Sequence, residues 1–326
     1  MSNLTIVMYH YVRDLKHSRY PEIKGLDVDL FKEQLQYIRR YYKVIRMEDL
    51  FKSLKGNCVL PKNSLLLTFD DGYKDHFEFV FPILDELGIQ GSFFPSAKAV
   101  QERRVLDVNK IHFILASIDN KNLIIKNIYF LLDTYRNEYN LDQNEDYFNK
   151  LAEANRFDTS EVVFIKKMLQ QALPEKLIRI ILDDLFSKYV SKDEDAFSRE
   201  LYMNIDQLKC MLRHGMYIGS HGWDHHWLNT LSEDRQEHEV NLSLKFFENM
   251  GCDISEWAMC YPYGAYNDSL ISLLKSHNCK LALSTEVGIV NLAADSPFTY
   301  KRLNTNDLPK DRDAEPNEWT SQVIKN

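Results

Sequence analysis

The chain lacks any cysteine pair at Cys-x-x-Cys spacing. Its five cysteines, Cys58, Cys210, Cys252, Cys260 and Cys279, are scattered and odd in number, a usage that argues for reduced thiols and an intracellular home. An excess of positive charge is also missing. There are 40 Lys and Arg against 48 Asp and Glu, a formal net charge of −8, which argues against nucleic acid or an anionic membrane as the main partner. The opening residues Met1-Ser2-Asn3-Leu4 lead on without a basic region, a long apolar stretch or a small-residue cleavage site, so no secretion signal is expected. No apolar run is long enough for a transmembrane helix, and no internal repeat or low-complexity segment occurs. What is present is ordinary globular composition: 326 residues, 44% hydrophobic and 27% charged, enough for a large core that one barrel domain can house.

Three short segments stand out from this background. Thr68-Phe69-Asp70-Asp71-Gly72 follows the apolar run Leu65-Leu66-Leu67, the pattern of a buried strand whose carboxyl end opens onto a site. Adjacent carboxylates repel when both are ionised, so a pair kept together calls for a cation or a shared proton. An acidic turn after a strand would look the same. Ser220-His221-Gly222-Trp223-Asp224-His225-His226 follows a second apolar stretch, Met216-Tyr217-Ile218-Gly219. His221 and His225 are expected on one side of a helical turn, and two imidazoles with one carboxylate make the three-ligand set of catalytic zinc, with a fourth position left for water. The third segment, Met259-Cys260-Tyr261-Pro262-Tyr263-Gly264, follows another expected strand.

In this order the segments resemble the signatures of the carbohydrate esterase family 4 polysaccharide deacetylases: Thr-Phe-Asp-Asp-Gly, His-(Ser/Thr)-x-x-His and Arg-x-Pro-Tyr. The first is matched letter for letter. The second keeps both histidines but has Gly222 in place of the hydroxyl residue, and the third keeps Pro262 and Tyr263 but has Cys260 in place of the arginine. The resemblance implies Asp70 as general base and Asp71, His221 and His225 as ligands of one divalent ion, zinc first, with nickel, cobalt and iron also admitted. It further implies the backbone N–H of Tyr263 as an oxyanion donor.

A proton donor for the leaving amine is also implied, yet no Leu-x-His follows Tyr263 and the family's Asp-x-x-Asp-Trp pattern is missing. His277 ends an amphipathic run and reads as a surface residue. Ile6-Val7-Met8-Tyr9-His10 is an apolar strand ending in histidine. It is similar to the permuted arrangement of poly-N-acetylglucosamine deacetylases, in which the motif supplying the acid moves to the front, and this makes His10 the general acid. Arg302, in Tyr300-Lys301-Arg302-Leu303, is the candidate to serve in place of the missing arginine.

Around these motifs, helices are expected at 29–41, 47–54 and 76–87, and strands at 44–45 and 91–94. Alternation then stops. Charged helical patterns cover 108–118, 123–135, 160–172 and 175–189, and the alternating pattern resumes with helices at 205–214, 232–250 and 268–276 and a strand at 280–283. The tail from Lys310 is polar and expected to fray.

The reading is therefore an α/β chain: a distorted (β/α)7-type barrel from 1–101 and 201–326, interrupted by a helical subdomain at 102–200 whose role stays open among lid, substrate contact and dimer contact. The activity implied is metal-dependent N-deacetylation of an N-acetylated amino sugar in a saccharide or its precursor, with release of acetate. The expected location is cytoplasmic, including the inner membrane face where a lipid-linked saccharide would be met; the oligomeric state is left open. Two other readings stand beside it. One is a metal-independent amidohydrolase of small cyclic amides, and the other a saccharide-binding protein that has lost catalysis, which the missing arginine permits.

Overall fold

Apolar residues fill both alternating faces of the strand segments, as a parallel sheet covered on both sides requires. In the computed structural model, which describes residues 3–155 and 158–324, β1 (Asn3–Tyr9) and β2 (Ser64–Asp71) run parallel, in register from Leu4 opposite Ser64 to Tyr9 opposite Phe69. Every residue of β2 is buried. Next to β2 lies β3 (Ser92–Pro95), and next to β3 lies β4 (Tyr217–Ile218), both again parallel. A separate parallel pair, β5 (Trp257–Cys260) and β6 (Cys279–Leu283), joins this sheet by single bridges from Ser220 to Met259 and from Leu283 to Tyr300. Just past Tyr300, β7 (Leu303–Asn304) pairs with β1. The strands thus close a ring of seven with loose joints on either side of the β5–β6 pair, a distorted (β/α)7-type barrel.

Strand alternation sorts the side chains. Leu4, Ile6, Leu66, Phe94, Ala258, Cys260, Leu281 and Leu283 pack together inside the ring. Val7, Tyr9, Leu67, Phe69 and Phe93 pack outside it with Phe31, Leu35 and Ile38 of the Val28–Tyr41 helix. Tyr9, Phe69 and Phe93 stack in series at centroid distances of 4.9 and 4.8 Å. Full burial of one such ring is worth about 1.5–3 kcal/mol, so this layer fixes which face of β2 looks inward.

Helices lie close to where periodicity predicts them. Asp27 caps the Val28–Tyr41 helix by accepting from the Asp29 N–H, and the Glu233–Met250 helix ends at Gly251, whose φ of 92° few other residues adopt. The stretch expected as one helix at 76–87 is a π-helical turn, His76–Val80, running into Phe81–Glu86. The tail differs from expectation. It forms a helix, Glu318–Ile324, in which buried Thr320 accepts from the hydroxyls of Tyr37 at 2.8 Å and Tyr42 at 3.0 Å, so this helix is docked by buried hydrogen bonds rather than frayed.

The chain divides into two compact units. One comprises Met1–Asp14, Lys24–Arg104 and Arg199–Asn326, and holds the barrel; the other comprises Leu15–Ile23 and Val105–Ser198. The second contains the helices Asp107–Ser117, Lys121–Tyr139, Asn144–Leu151, Ser160–Lys167 and Glu175–Tyr189. The stretch Leu15–Ile23 belongs with it because Tyr20 packs edge-on to Phe113 and Phe197. No helix among the described residues is long and apolar enough to cross a membrane.

Candidate active site

The side chains singled out by the motifs gather at the carboxyl ends of the barrel strands, the end at which barrel sites assemble. Asp70 shares the inward parity of Leu66 and Thr68. Asp71 would by alternation point the other way, but left-handed backbone at Asp71 and Gly72 (φ 71° and 74°) breaks the strand and keeps both carboxylates at the mouth. Only glycine fits at position 72, since a Cβ there would lie 2.5 Å from Pro95 Cβ. Of the seven non-glycine residues with positive φ among the described residues, three are asparagines, Arg103 caps a helix, and the other three are Asp71, His225 and Tyr263. Backbone held in this region costs about 1–3 kcal/mol per residue and concentrates at functional sites.

The two histidines do not lie on a helical turn. From His221 to Trp227 the chain is an irregular loop following β4, with Gly222 and His225 both left-handed. The loop nevertheless brings the imidazoles together: His221 Nε2 stands 3.3 Å and His225 Nε2 3.4 Å from Asp71 Oδ1. Among the described residues this is the one cluster of such side chains fit for a metal, with its ligand atoms within 4.8 Å of one another.

Its chemistry fits a divalent ion. Asp71 Oδ1 is buried with no hydrogen-bond partner among the described residues, an arrangement that is costly without a cation. Ligands about 2.0–2.1 Å from a tetrahedral ion stand roughly 3.3–3.4 Å apart, which is the spacing of each imidazole from Asp71 here. The other carboxylate oxygen, Oδ2, accepts from the Tyr73 hydroxyl at 2.5 Å, and His221 Nδ1 is fixed by the Cys260 carbonyl at 2.8 Å. That contact requires the proton on Nδ1 and leaves Nε2 free to coordinate. Burial raises the Asp71 carboxyl, but the two imidazoles outweigh it and hold its pKa well below the usual range.

Arg302 reaches the same mouth from the closing segment. Its guanidinium grips Asp70 two-handed, Nη1 to Oδ1 at 2.9 Å and Nη2 to Oδ2 at 2.8 Å, and both side chains are almost wholly buried. Nη1 also contacts Thr68 Oγ1 and Cys260 Sγ, and Nε donates to the Ser284 carbonyl. Burial raises the Asp70 carboxyl, yet the Arg302 charge, helped by His221 and His10, brings it down to about 2. Cys260, whose thiol is pushed well up by burial, stays neutral and leaves room for the arginine.

His10 directly follows β1, and its charge is among those acting on Asp70 and Asp71. Behind it is His76, which belongs to none of the three motifs. His76 is fully buried, burial pushes its pKa down to about 4, and its Nε2 lies 2.7 Å from the His10 carbonyl. A neutral imidazole in that place must carry its proton on Nε2 to donate. Tyr263 sits in the Pro262–Gly264 turn after β5 with its ring 4.7 Å from that of His225 and stacked on Trp227 at 4.2 Å. Tyr73 had a signal in its place next to Gly72; His76 and Trp227 had none.

A family model described as polysaccharide deacetylase matches residues 59–152 and 189–282, more than half of the chain. YxkH of Bacillus subtilis (strain 168), carried under the polysaccharide deacetylase name, is 32% identical over 87 residues, which are 27% of this chain and 31% of that protein. The match therefore spans about a third of the curated relative. Among solved structures, the Streptococcus pyogenes deacetylase PplD in complex with acetate superposes with a TM-score of 0.60 at 18% identity, covering 99% of this chain and 98% of that one. IcaB from Ammonifex degensii gives 0.57 at 18% identity, with 94% of each chain covered. A de-N-acetylase from Aggregatibacter actinomycetemcomitans gives 0.54 at 15% identity, with 99% of each covered. At these identities the likeness is one of fold.

Proposed function

Since the chain belongs to the polysaccharide deacetylase family, we propose that it is a metal-dependent N-deacetylase, acting on the acetamide of an N-acetylated amino sugar in a saccharide or saccharide precursor. The observation that carries this reading is the unpartnered Asp71 Oδ1 facing two imidazole nitrogens, next to a second carboxylate held by an arginine.

A divalent ion held by Asp71, His221 and His225 would supply Lewis-acid polarisation of the acetamide carbonyl and of the attacking water. Asp70, kept ionised by Arg302, takes the water's proton as its oxygen adds to the carbonyl carbon. The Tyr263 N–H donates to the carbonyl oxygen as negative charge builds there, a contribution of about 3 kcal/mol for one well-placed donor. His10 then protonates the departing nitrogen as the C–N bond breaks, and its backbone is fixed by His76. Acetate and a free sugar amine result.

The test is acetate release by purified protein from a panel of N-acetylated hexosamines, their oligomers and nucleotide-linked forms, with metal content measured on the same preparation. Release from at least one of them by metal-loaded protein is expected. Sugar binding without release would instead identify a saccharide-binding protein.

A further inference from the structure

The second signature has Gly222 where the family carries a hydroxyl residue, yet an irregular loop with two left-handed residues must still present His221 and His225. We propose that Glu239, in the Glu233–Met250 helix, is the positioning residue of this loop, holding the backbone between the two histidines so that both imidazoles face Asp71. The inference rests on the metal-site reading above.

The backbone hydrogen bonds of the loop can be followed one by one. The Trp223 and Asp224 N–H groups both donate to Glu239 Oε2, at 3.2 and 3.0 Å. The Gly222 N–H donates to Ser220 Oγ at 3.1 Å, and Ser220 Oγ is itself bonded to Ser243 Oγ at 2.8 Å. On the other side, the Gly222 carbonyl accepts from the Ala97 N–H at 3.2 Å. The Trp223 carbonyl accepts from the Lys98 N–H at 3.0 Å and Ser96 Oγ at 2.7 Å.

Glu239 and Ser243 are one helical turn apart and so present one face to the loop. Glu239 is 6% exposed, and a carboxylate at that depth persists because it is hydrogen-bonded. His226 Nε2 lies 4.0 Å from its other oxygen, and Lys98 pairs with Asp224 at 2.5 Å beside it.

Glycine at position 222 explains why a distant side chain has this task. A Cβ there would meet Pro262 Cγ at 3.6 Å and Glu239 Oε2 at 3.9 Å, ordinary contacts, so space does not forbid a side chain. The φ of 74° does. A loop in this conformation gives up the local hydroxyl, and the helix supplies the acceptor instead.

The test is a zinc titration against a chromophoric chelator on folded, full-length wild type, Glu239→Leu, Glu239→Gln and Ser243→Ala, with circular dichroism checking the fold. Glutamine keeps an acceptor oxygen of the same reach. Loss of a group that orients metal ligands typically weakens affinity about 10–100-fold, and that is expected for Glu239→Leu, with Glu239→Gln within a few-fold of wild type and Ser243→Ala in between. Wild-type affinity in Glu239→Leu overturns the proposal. If the leucine variant does not fold, Glu239→Asp, one methylene shorter, replaces it, and unchanged affinity there has the same force. A wild type that takes up no zinc overturns the metal-site reading itself, which sets that failure apart.

Discussion

At Asp70, burial and a neighbouring charge pull in opposite directions, and the charge wins. Arg302→Met keeps bulk but leaves a buried carboxylate alone, and breaking a buried pair in this way costs about 3–5 kcal/mol. With burial no longer offset, the Asp70 pKa rises, so the acidic limb of the kcat/KM profile should move to higher pH. A pH–rate series measures this, and an unmoved limb would mean that Arg302 does not set the charge of Asp70. Asp70→Asn should abolish turnover while metal content stays at the wild-type level, since the amide has the size of the acid but cannot take a proton. His10→Ala should lower kcat by roughly 100-fold to 10,000-fold on the amide. An ester with a good leaving group should recover much of that loss, because such a group departs without a proton; equal losses on both substrates would make His10 a structural residue. The carboxylate pair, the histidines and the Pro262-Tyr263 turn were legible because each occupies a short window. The grip of Arg302 on Asp70 was legible only as a candidate, for the two lie 232 positions apart and no local pattern joins them.

Among the elements, the loop from His221 to Trp227 shows best what spacing can hide. Histidines four apart read the same on a helix and on a loop, and the difference lies in the left-handed backbone at Gly222 and His225. Glycine signalled the first; nothing in a histidine signals the second. The C-terminal segment was misjudged for a related reason. Polar composition suggested fraying, but Thr320 is the shared acceptor for two buried phenols from the Val28–Tyr41 helix and its C-cap. Thr320→Val, nearly isosteric, should therefore lower stability by about 1–3 kcal/mol, read from the urea midpoint. A variant as stable as wild type would show the tail to be dispensable.

For the molecule as a whole, the alternation of strands and helices was enough to predict a barrel. Closure was harder to see. The ring is completed by the stretch from Tyr300 to Asn304, joined to β6 by one bridge and to β1 by the two-residue strand β7, too short to carry a periodicity of its own. That same stretch carries Arg302, so the piece that closes the barrel also delivers the partner of Asp70. On the proposed mechanism, Asp71, His221 and His225 hold an ion on which hydrolysis depends. This is tested most directly by measuring bound metal and acetate release together in wild type, in chelator-treated wild type before and after zinc is restored, and in His221→Ala. About one metal per chain and acetate release are expected in the wild type, with loss of both on chelation and recovery on zinc, and loss of both in the variant. Acetate release that persists without metal, or full metal occupancy in His221→Ala, would contradict this mechanism.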